Sequence, residues 1–388
     1  MRVLHLSSGN LYGGVETFLV TLARHGGAGA AMEASYALSA EGRLSEELRA
    51  AGAPVHPLGA VRARNPLSVR RARRALRELL RRERFDAAVC HSAWAQALFG
   101  PTVRDAGVPL VFYLHGDVRG RHWTERLARR VRPDLVVGNS RYTLGTLPSL
   151  YPGARAELVA YPVEAPDAAA LRRERDATRA ELGAAPGDVV IVQSCRLEPW
   201  KGHRLHLEAL GRLRDVPGWT CWQVGGVQRD SEAAYLRELQ AQAERLGIAE
   251  RVRWVGQRRD VPRILAAADV HCQPNLGPEP FGIAFVEALY AGLPVVSTAM
   301  GGAAEIVDPG CGILTPPGDA DALADALRRL VADPALRASL GAAGPARAAE
   351  LCDPARQVER LARALAGAGR PAGSPGAAER AAPQPARR

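Results

Sequence analysis

Arg196 and Lys201 lie five positions apart in "SCRLEPWKGH" (194–203), and Glu279 and Glu287 lie eight apart in "EPFGIAFVE" (279–287). Two cations in one turn suit a diphosphate, because a guanidinium fork and a compact ammonium can meet phosphate oxygens from different directions. Two carboxylates suit hydroxyls, one accepting from a sugar and the other from a ribose diol. Of the 51 Lys and Arg residues only Lys201 is a lysine. A chain that writes arginine everywhere else points to a slot at 201 too narrow for a guanidinium. Phe281, Gly282 and Ile283 open a helix, and its first N–H groups form a second anion site. Glu287 falls in the almost wholly apolar run "FGIAFVEALYAGLPVV" (281–296), so it should be buried and need partners.

Other candidates follow strands. Gly13 and Gly14 open a helix after the first strand. They do not form GxGxxG, so a nicotinamide dinucleotide is not indicated. A second Gly-Gly turn, Gly301-Gly302, offers amides for close approach to a ligand. His115, in "LVFYLHG" (110–116), ends a strand at an expected interdomain cleft. Asp319 and Asp321 form the one D-x-D, which reads as a helix N-cap and first turn rather than a metal pair. The six cysteines form no CxxC pair, which argues against zinc and for a reducing compartment.

These residues need a scaffold that places strand ends together. The apolar runs 3–8, 87–92, 110–116 and 135–140 each precede a helical stretch, which is βαβ grammar. A Pro- and Ala-rich break at 162–187 has no strand. The alternation restarts at 189–195, 220–226, 251–257, 269–275 and 293–298. The 388 residues are too long for one ordinary core, so an α/β chain of two doubly wound domains is expected. In such sheets ligands bind beyond the carboxyl ends of the strands, where the candidate residues lie.

The net charge of +10 is concentrated. Residues 62–84 carry ten arginines against two glutamates, and Val69, Ala72, Leu76, Leu79 and Leu80 recur at helical spacing. The segment reads as a surface helix on an apolar stripe, or as a contact for anionic lipid headgroups or an anionic acceptor. Nucleic acid is not expected, since aromatic interleaving and a binding motif are both missing. No apolar run approaches the ~20 residues of a membrane span, and "MRVLHLSSGN" has no signal-peptide core. The expected location is the cytoplasm, with peripheral contact at the inner face of the membrane through the basic helix. The Pro/Gly/Ala/Arg tail, 369–388, is expected to be disordered.

Taken together, Arg196 and Lys201 as R-x4-K, Glu279 and Glu287 as E-x7-E around "PFGIAFVE", "GGVE" (13–16) and "GGAAEIV" (301–307) resemble the retaining glycosyltransferases of family 4. The resemblance covers about 1–367 and implies the GT-B fold, two Rossmann-like domains facing a cleft. It implies an acceptor-side domain at 1–165, a nucleotide-sugar-binding domain at 166–352 and a helix at 353–368 returning to the first domain. The donor would be a nucleotide-diphosphate-sugar, a UDP- or GDP-sugar. Arg196 and Lys201 would neutralise the diphosphate, Glu287 would bind the ribose, and Glu279 with the amides of Phe281, Gly282 and Ile283 would bind the sugar. The turns at 225–226 and 255–257, including Gly256, would flank the base. Gly13 and Gly14 would approach the donor, and His115 would sit near the anomeric carbon. No metal and no other cofactor is implied. The acceptor would be a saccharide, a lipid-linked saccharide or an aminocyclitol-like natural product. The linker "YPVEAP" (161–166) departs from the P-N-G-V-D type common in the family. Two other activities fit a GT-B fold, an epimerase and a phosphorylase, but the latter needs a lysine for its covalent cofactor. A non-catalytic anion- or membrane-binding protein using the basic helix is the remaining alternative.

Overall fold

The computed structural model describes residues 1–8, 13–27, 29–62 and 64–369. The tail from 370 and residues 9–12 of the first Gly-Gly loop lie outside them. Among the described residues the strands are β1 (Arg2–Ser7), β2 (Glu33–Leu38), β3 (Val55–Pro57), β4 (Ala87–Cys90), β5 (Leu110–Leu114), β6 (Leu135–Gly138) and β7 (Ala156–Leu158), then β8 (Val189–Ser194), β9 (Trp219–Val224), β10 (Val252–Gly256), β11 (Val270–Gln273), β12 (Val295–Thr298) and β13 (Gly312–Thr315). They form two parallel sheets, in the orders β3-β2-β1-β4-β5-β6-β7 and β10-β9-β8-β11-β12-β13. Helices join the strands, so both sheets are doubly wound.

Burial explains the strands that were legible. Runs such as Val189–Val192 are covered on both faces, and a strand buried twice reads as continuous apolar sequence. β2, β3, β7 and β13 carried no such signal. β3 and β7 have three residues each and β7 is mostly exposed, while β2, "EASYAL", mixes Ala and Ser with its apolar positions. Helix Ala168–Arg173 and helix Arg175–Glu181 fill the expected break, again without a strand.

Two compact units result. One comprises Met1–Gly138, Leu144–Val159 and the chain from Val358; the other comprises Asn139–Thr143 and Ala160–Gln357. The second segment of the first unit ends at Val159, where the sequence suggested 165; within the second unit Val163 N–H donates to the Cys352 carbonyl at 2.9 Å. Helix Pro354–Ala366 changes units part-way along. Arg360 donates to the Leu158 carbonyl at 3.1 Å, and Arg155 donates to the Gly367 carbonyl at 2.8 Å.

The basic helix runs from Pro66 to Arg82, capped by Asn65, whose side chain accepts from the N–H groups of Leu67 and Ser68. Ala72, Leu76 and Leu79 are buried against Leu4, Leu6 and Phe99, which anchors one face. Arg70, Arg74, Arg77 and Arg81 are exposed on the other, and Leu67 is 61% exposed at the amino end. No helix among the described residues is long and apolar enough to cross a membrane.

Candidate active site

In the second unit the strand order reverses between β8 and β11. Connections leave the two neighbours in opposite directions and open a crevice beyond their carboxyl ends. Arg196 and Lys201 follow β8; Glu279 follows β11. Pro199–Lys201 forms a single 3-10 turn, and Gly202 then takes the left-handed conformation (φ 76°) that starts helix His203–Gly211. A Cβ at Gly202 would lie 1.7 Å from the Pro274 carbonyl oxygen. Only glycine lets the turn after β8 press on the loop after β11, and Leu276 N–H donates to the Trp200 carbonyl at 2.7 Å across that contact.

This close approach delivers Lys201 to Glu279. Lys201 Nζ lies 2.5 Å from Glu279 Oε2 and 4.0 Å from the centre of the Trp200 ring, and the two charged side chains are only 12% and 10% exposed. Sequence spacing suggested separate duties for these residues; here they form one ion pair. Glu279 Oε2 also accepts from Asn275 Nδ2 at 3.0 Å and Gln273 Nε2 at 3.2 Å. Gln193 Nε2 donates to the Lys201 carbonyl at 3.0 Å. Sequence reasoning missed Gln193, Gln273 and Asn275. Their signal was present: polar amides at the carboxyl ends of two buried strands need a reason to be there.

Arg196 is more open. Its Nη2 lies 3.0 Å from Glu198 Oε2, and the side chain is 39% exposed. Trp200 Nε1 also donates to Glu198 at 3.2 Å, so Glu198 steadies both the arginine and the indole that flanks Lys201. Gly225 and Gly256 form an antiparallel bridge, with Gly225 N–H donating to the Gly256 carbonyl at 2.9 Å. A Cβ at Gly225 would fall 2.0 Å from the Cys195 carbonyl oxygen. The 225–226 turn therefore sits against the Cys195–Arg196 backbone, and the 255–257 turn is tied to it through the Gly225–Gly256 bridge.

Helix Ile283–Tyr290 starts at Gly282 (φ 108°), with no side chain capping it. The N–H groups of Ile283 and Ala284 have no carbonyl one turn back inside the helix, so its dipole end is open. Phe281 is buried against Tyr161, their ring centres 4.8 Å apart. Gly301 forms a parallel bridge with Glu279, and Gly302 N–H donates to the Glu279 carbonyl at 2.6 Å. The Gly302 amide therefore braces the Glu279 loop instead of facing a ligand. Glu287, one turn into the helix, is half-buried and its carboxyl accepts no hydrogen bond among the described residues. Desolvation pushes its pKa up to about 7. Among the described residues, the partners its sequence context demanded are not supplied. Asp319 caps helix Ala320–Ala332, accepting from Asp321 N–H and Ala322 N–H, and Asp321 pairs with Arg212 at 2.6 Å.

The first unit holds Gly13, Gly14 and His115. Gly13 N–H donates to Glu16 Oε2 at 2.9 Å and precedes helix Gly14–His25. His115 directly follows β5 and is half-buried, stacked on Tyr113 at 4.4 Å. It is not a lone histidine. Its Nε2 lies 2.8 Å from His91 Nδ1, and His91 Nε2 lies 2.8 Å from His5 Nδ1. Desolvation lowers the pKa of His115 and of His5 to about 3, and that of His91 well below the usual value.

Two Rossmann-like sheets, the second with Arg196, the buried Lys201–Glu279 ion pair and open helix amides where its strand order reverses, make a two-unit α/β fold with an anion-binding chemistry at that crevice. Known proteins agree. Residues 174–347 match the model of glycosyl transferases group 1, and residues 12–163 match that of glycosyltransferase family 4. A GDP-mannose-dependent alpha-(1-6)-phosphatidylinositol monomannoside mannosyltransferase of Mycolicibacterium smegmatis is 35% identical over 64% of this chain and 68% of its own length. A GDP-mannose-dependent monoacylated alpha-(1-6)-phosphatidylinositol monomannoside mannosyltransferase of Corynebacterium glutamicum is 29% identical over 70% of this chain and 74% of its own. The crystal structure of Anabaena HepE in complex with UDP-glucose superposes with a TM-score of 0.81 at 27% identity, covering 95% of this chain and all of that one. The chain belongs to glycosyltransferase family 4. It is a glycosyltransferase of the GT-B fold that uses a nucleotide-sugar donor.

Proposed function

We propose that the protein transfers a hexose, with retention of anomeric configuration, from a GDP- or UDP-sugar to a lipid-linked saccharide or polyol. The Lys201–Glu279 pair carries this reading, a buried ammonium held beside an exposed arginine where the strand order reverses. Arg196 and Lys201 bind the diphosphate and stabilise the charge that develops on the leaving phosphate. Glu279 and the amides of Phe281, Gly282 and Ile283 hold the sugar hydroxyls. Glu287, without a hydrogen-bond partner among the described residues, accepts from the ribose diol. Gly256 flanks the base. Gly13 and Gly14 let the first unit's backbone reach the donor, and His115 contacts the sugar near the anomeric carbon. The acceptor attacks from the leaving-group side, and a phosphate oxygen takes its proton. The two cations and the open helix end supply the charge a metal would otherwise supply, so the reading includes no metal and no further cofactor.

The acceptor assignment rests on two supports. The relatives' names specify phosphatidylinositol mannosides, and the helix Pro66–Arg82 presents arginines beside exposed Leu67, a chemistry suited to an anionic membrane surface.

A thermal-shift screen against GDP, UDP, ADP and TDP and their sugars, with and without EDTA, tests the donor site. A ligand at about 100 times its Kd adds roughly 2.7 kcal/mol, so one nucleotide should raise Tm selectively and independently of EDTA. Silence with every nucleotide would overturn the donor reading. Product stereochemistry by NMR with the selected donor then tests retention.

A further inference from the structure

Gln273 ends β11 and Asn275 lies two residues further on, and both residues are 1% exposed. Their backbone is pinned to the neighbouring strand β12. Ser297 Oγ donates to the Gln273 carbonyl at 2.9 Å, and Thr298 Oγ1 donates to the Asn275 carbonyl at 2.8 Å. From this base the two side-chain amides converge on one oxygen of Glu279. Asn275 Nδ2 lies 3.0 Å and Gln273 Nε2 3.2 Å from Oε2, the same oxygen that meets Lys201 Nζ at 2.5 Å. Gln273 Nε2 also lies 3.0 Å from Asn275 Oδ1. Oε1 accepts a hydrogen bond from none of the described residues, while 10% of the Glu279 side chain stays exposed.

We propose that Asn275 and Gln273 are positioning residues that fix the rotation of the Glu279 carboxylate, so that Oε2 is committed to protein donors and Oε1 alone is offered to the donor sugar. Counting donors and acceptors leads there. A carboxylate only accepts, so Asn275 turns its NH2 group to Glu279 and its carbonyl oxygen to Gln273. Gln273 then turns both N–H groups to these two partners, and its own Oε1 is left buried with no partner. Reversing that amide would set oxygen against oxygen at Asn275 and at the carboxylate. The terminal torsion of a glutamate is otherwise loosely held, and three donors on one oxygen remove that freedom. When a diphosphate draws on Lys201, two N–H donors still hold Oε2. A sugar hydroxyl therefore meets one oxygen in one orientation, and a sugar lacking that hydroxyl leaves the oxygen unpaired. The role at the sugar rests on the proposed transferase reading; the fixed carboxylate does not.

The first test measures binding of GDP-mannose and UDP-glucose to the full chain by calorimetry, with the deoxy forms of each sugar at C2, C3, C4 and C6. For the parent sugar that binds, one deoxy form should bind the native protein at least about tenfold more weakly. In Asn275→Ala that ratio should shrink to within about threefold. A purely structural defect would weaken every form alike and keep the ratio, so an unchanged ratio overturns the role at the sugar. Equal binding of all forms by the native protein overturns it too. The second test needs no ligand. Asn275→Ala should lower Tm, and in a Glu279→Ala background its shift should fall by more than half. Shifts that simply add overturn the fixed carboxylate. If Asn275→Ala does not fold, Gln273→Met keeps the side-chain length, removes both N–H donors and gives both readings. Failure of either parent sugar to bind, with coupled Tm shifts, would fall on the proposed function and leave the held carboxylate standing.

Discussion

At the scale of single residues, Lys201 and Glu287 present opposite electrostatic problems. Lys201 is nearly buried but fully compensated, by Glu279 at 2.5 Å and the Trp200 ring at 4.0 Å. A diphosphate entering there must share the ammonium with Glu279. Lys201→Ala should lower kcat about 100-fold or more, the worth of a positioned charge at a leaving group, and should also lower Tm, because it leaves the Glu279 carboxylate buried without its cation. Lys201→Arg should also be poor. A fully active Lys201→Arg enzyme would refute the idea that the slot excludes a guanidinium. Glu287 is desolvated and uncompensated. It holds its proton to about pH 7, whereas an unfolded chain releases it near the ordinary glutamate value of 4.5. Between those limits the unfolded state binds fewer protons, so rising pH removes stability. Glu287→Gln abolishes that term. Its Tm advantage over the native protein should grow from pH 5 to pH 8, and a difference that stays flat would show the carboxyl is already solvated. Lys201 and Glu279 were legible in sequence because charges at strand ends stand out. Their direct contact was not, because a separation of 78 positions in the chain carries no distance information. The line His5–His91–His115 was hidden for the same reason: only the strand order β1-β4-β5 brings three dispersed histidines together.

At the scale of elements, the site depends on how closely two loops approach. Gly202 and Gly218 make a matched pair. Both adopt left-handed backbone, at φ 76° and 72°, but a Cβ at Gly218 meets nothing within 4 Å while one at Gly202 strikes the Pro274 carbonyl. Gly218→Ala should cost about 1–2 kcal/mol from backbone strain alone and leave the donor KM unchanged. Gly202→Ala should cost more and raise the donor KM, read by urea unfolding and by transfer kinetics. Equal effects would show that the loop contact does not shape the donor site. The alternation of apolar runs and helical stretches disclosed both doubly wound sheets, because parallel strands buried on two faces leave an uninterrupted apolar signature. The edge strands β3 and β7 left none; three residues pair with one neighbour and bury little. The compact unit's segment ends at Val159 where the sequence suggested 165, and contacts between residues far apart in the chain, such as the hydrogen bond from Val163 to Cys352, leave no mark in the sequence.

At the scale of the whole molecule, charge is unevenly distributed. The exposed arginines of helix Pro66–Arg82 line one face, and each cation near an anionic bilayer is worth about 1 kcal/mol. The protein should float with anionic vesicles at low salt and release at high salt. The triple variant Arg70→Glu, Arg74→Glu, Arg77→Glu should not float, yet should keep transfer to a soluble acceptor analogue. Indifference of the native protein to vesicles would instead favour a soluble acceptor. The near-total replacement of lysine by arginine has one more consequence. Lys201 is the one lysine in the sequence, so its ε-amine is the one side-chain primary amine. Amine-directed acylating reagents therefore have a single side-chain target in this sequence, held against Glu279 and Trp200 at the proposed donor site. Amine-directed labelling becomes a direct gauge of site occupancy: bound nucleotide sugar should shield Lys201 from acylation, and one peptide mass would report it.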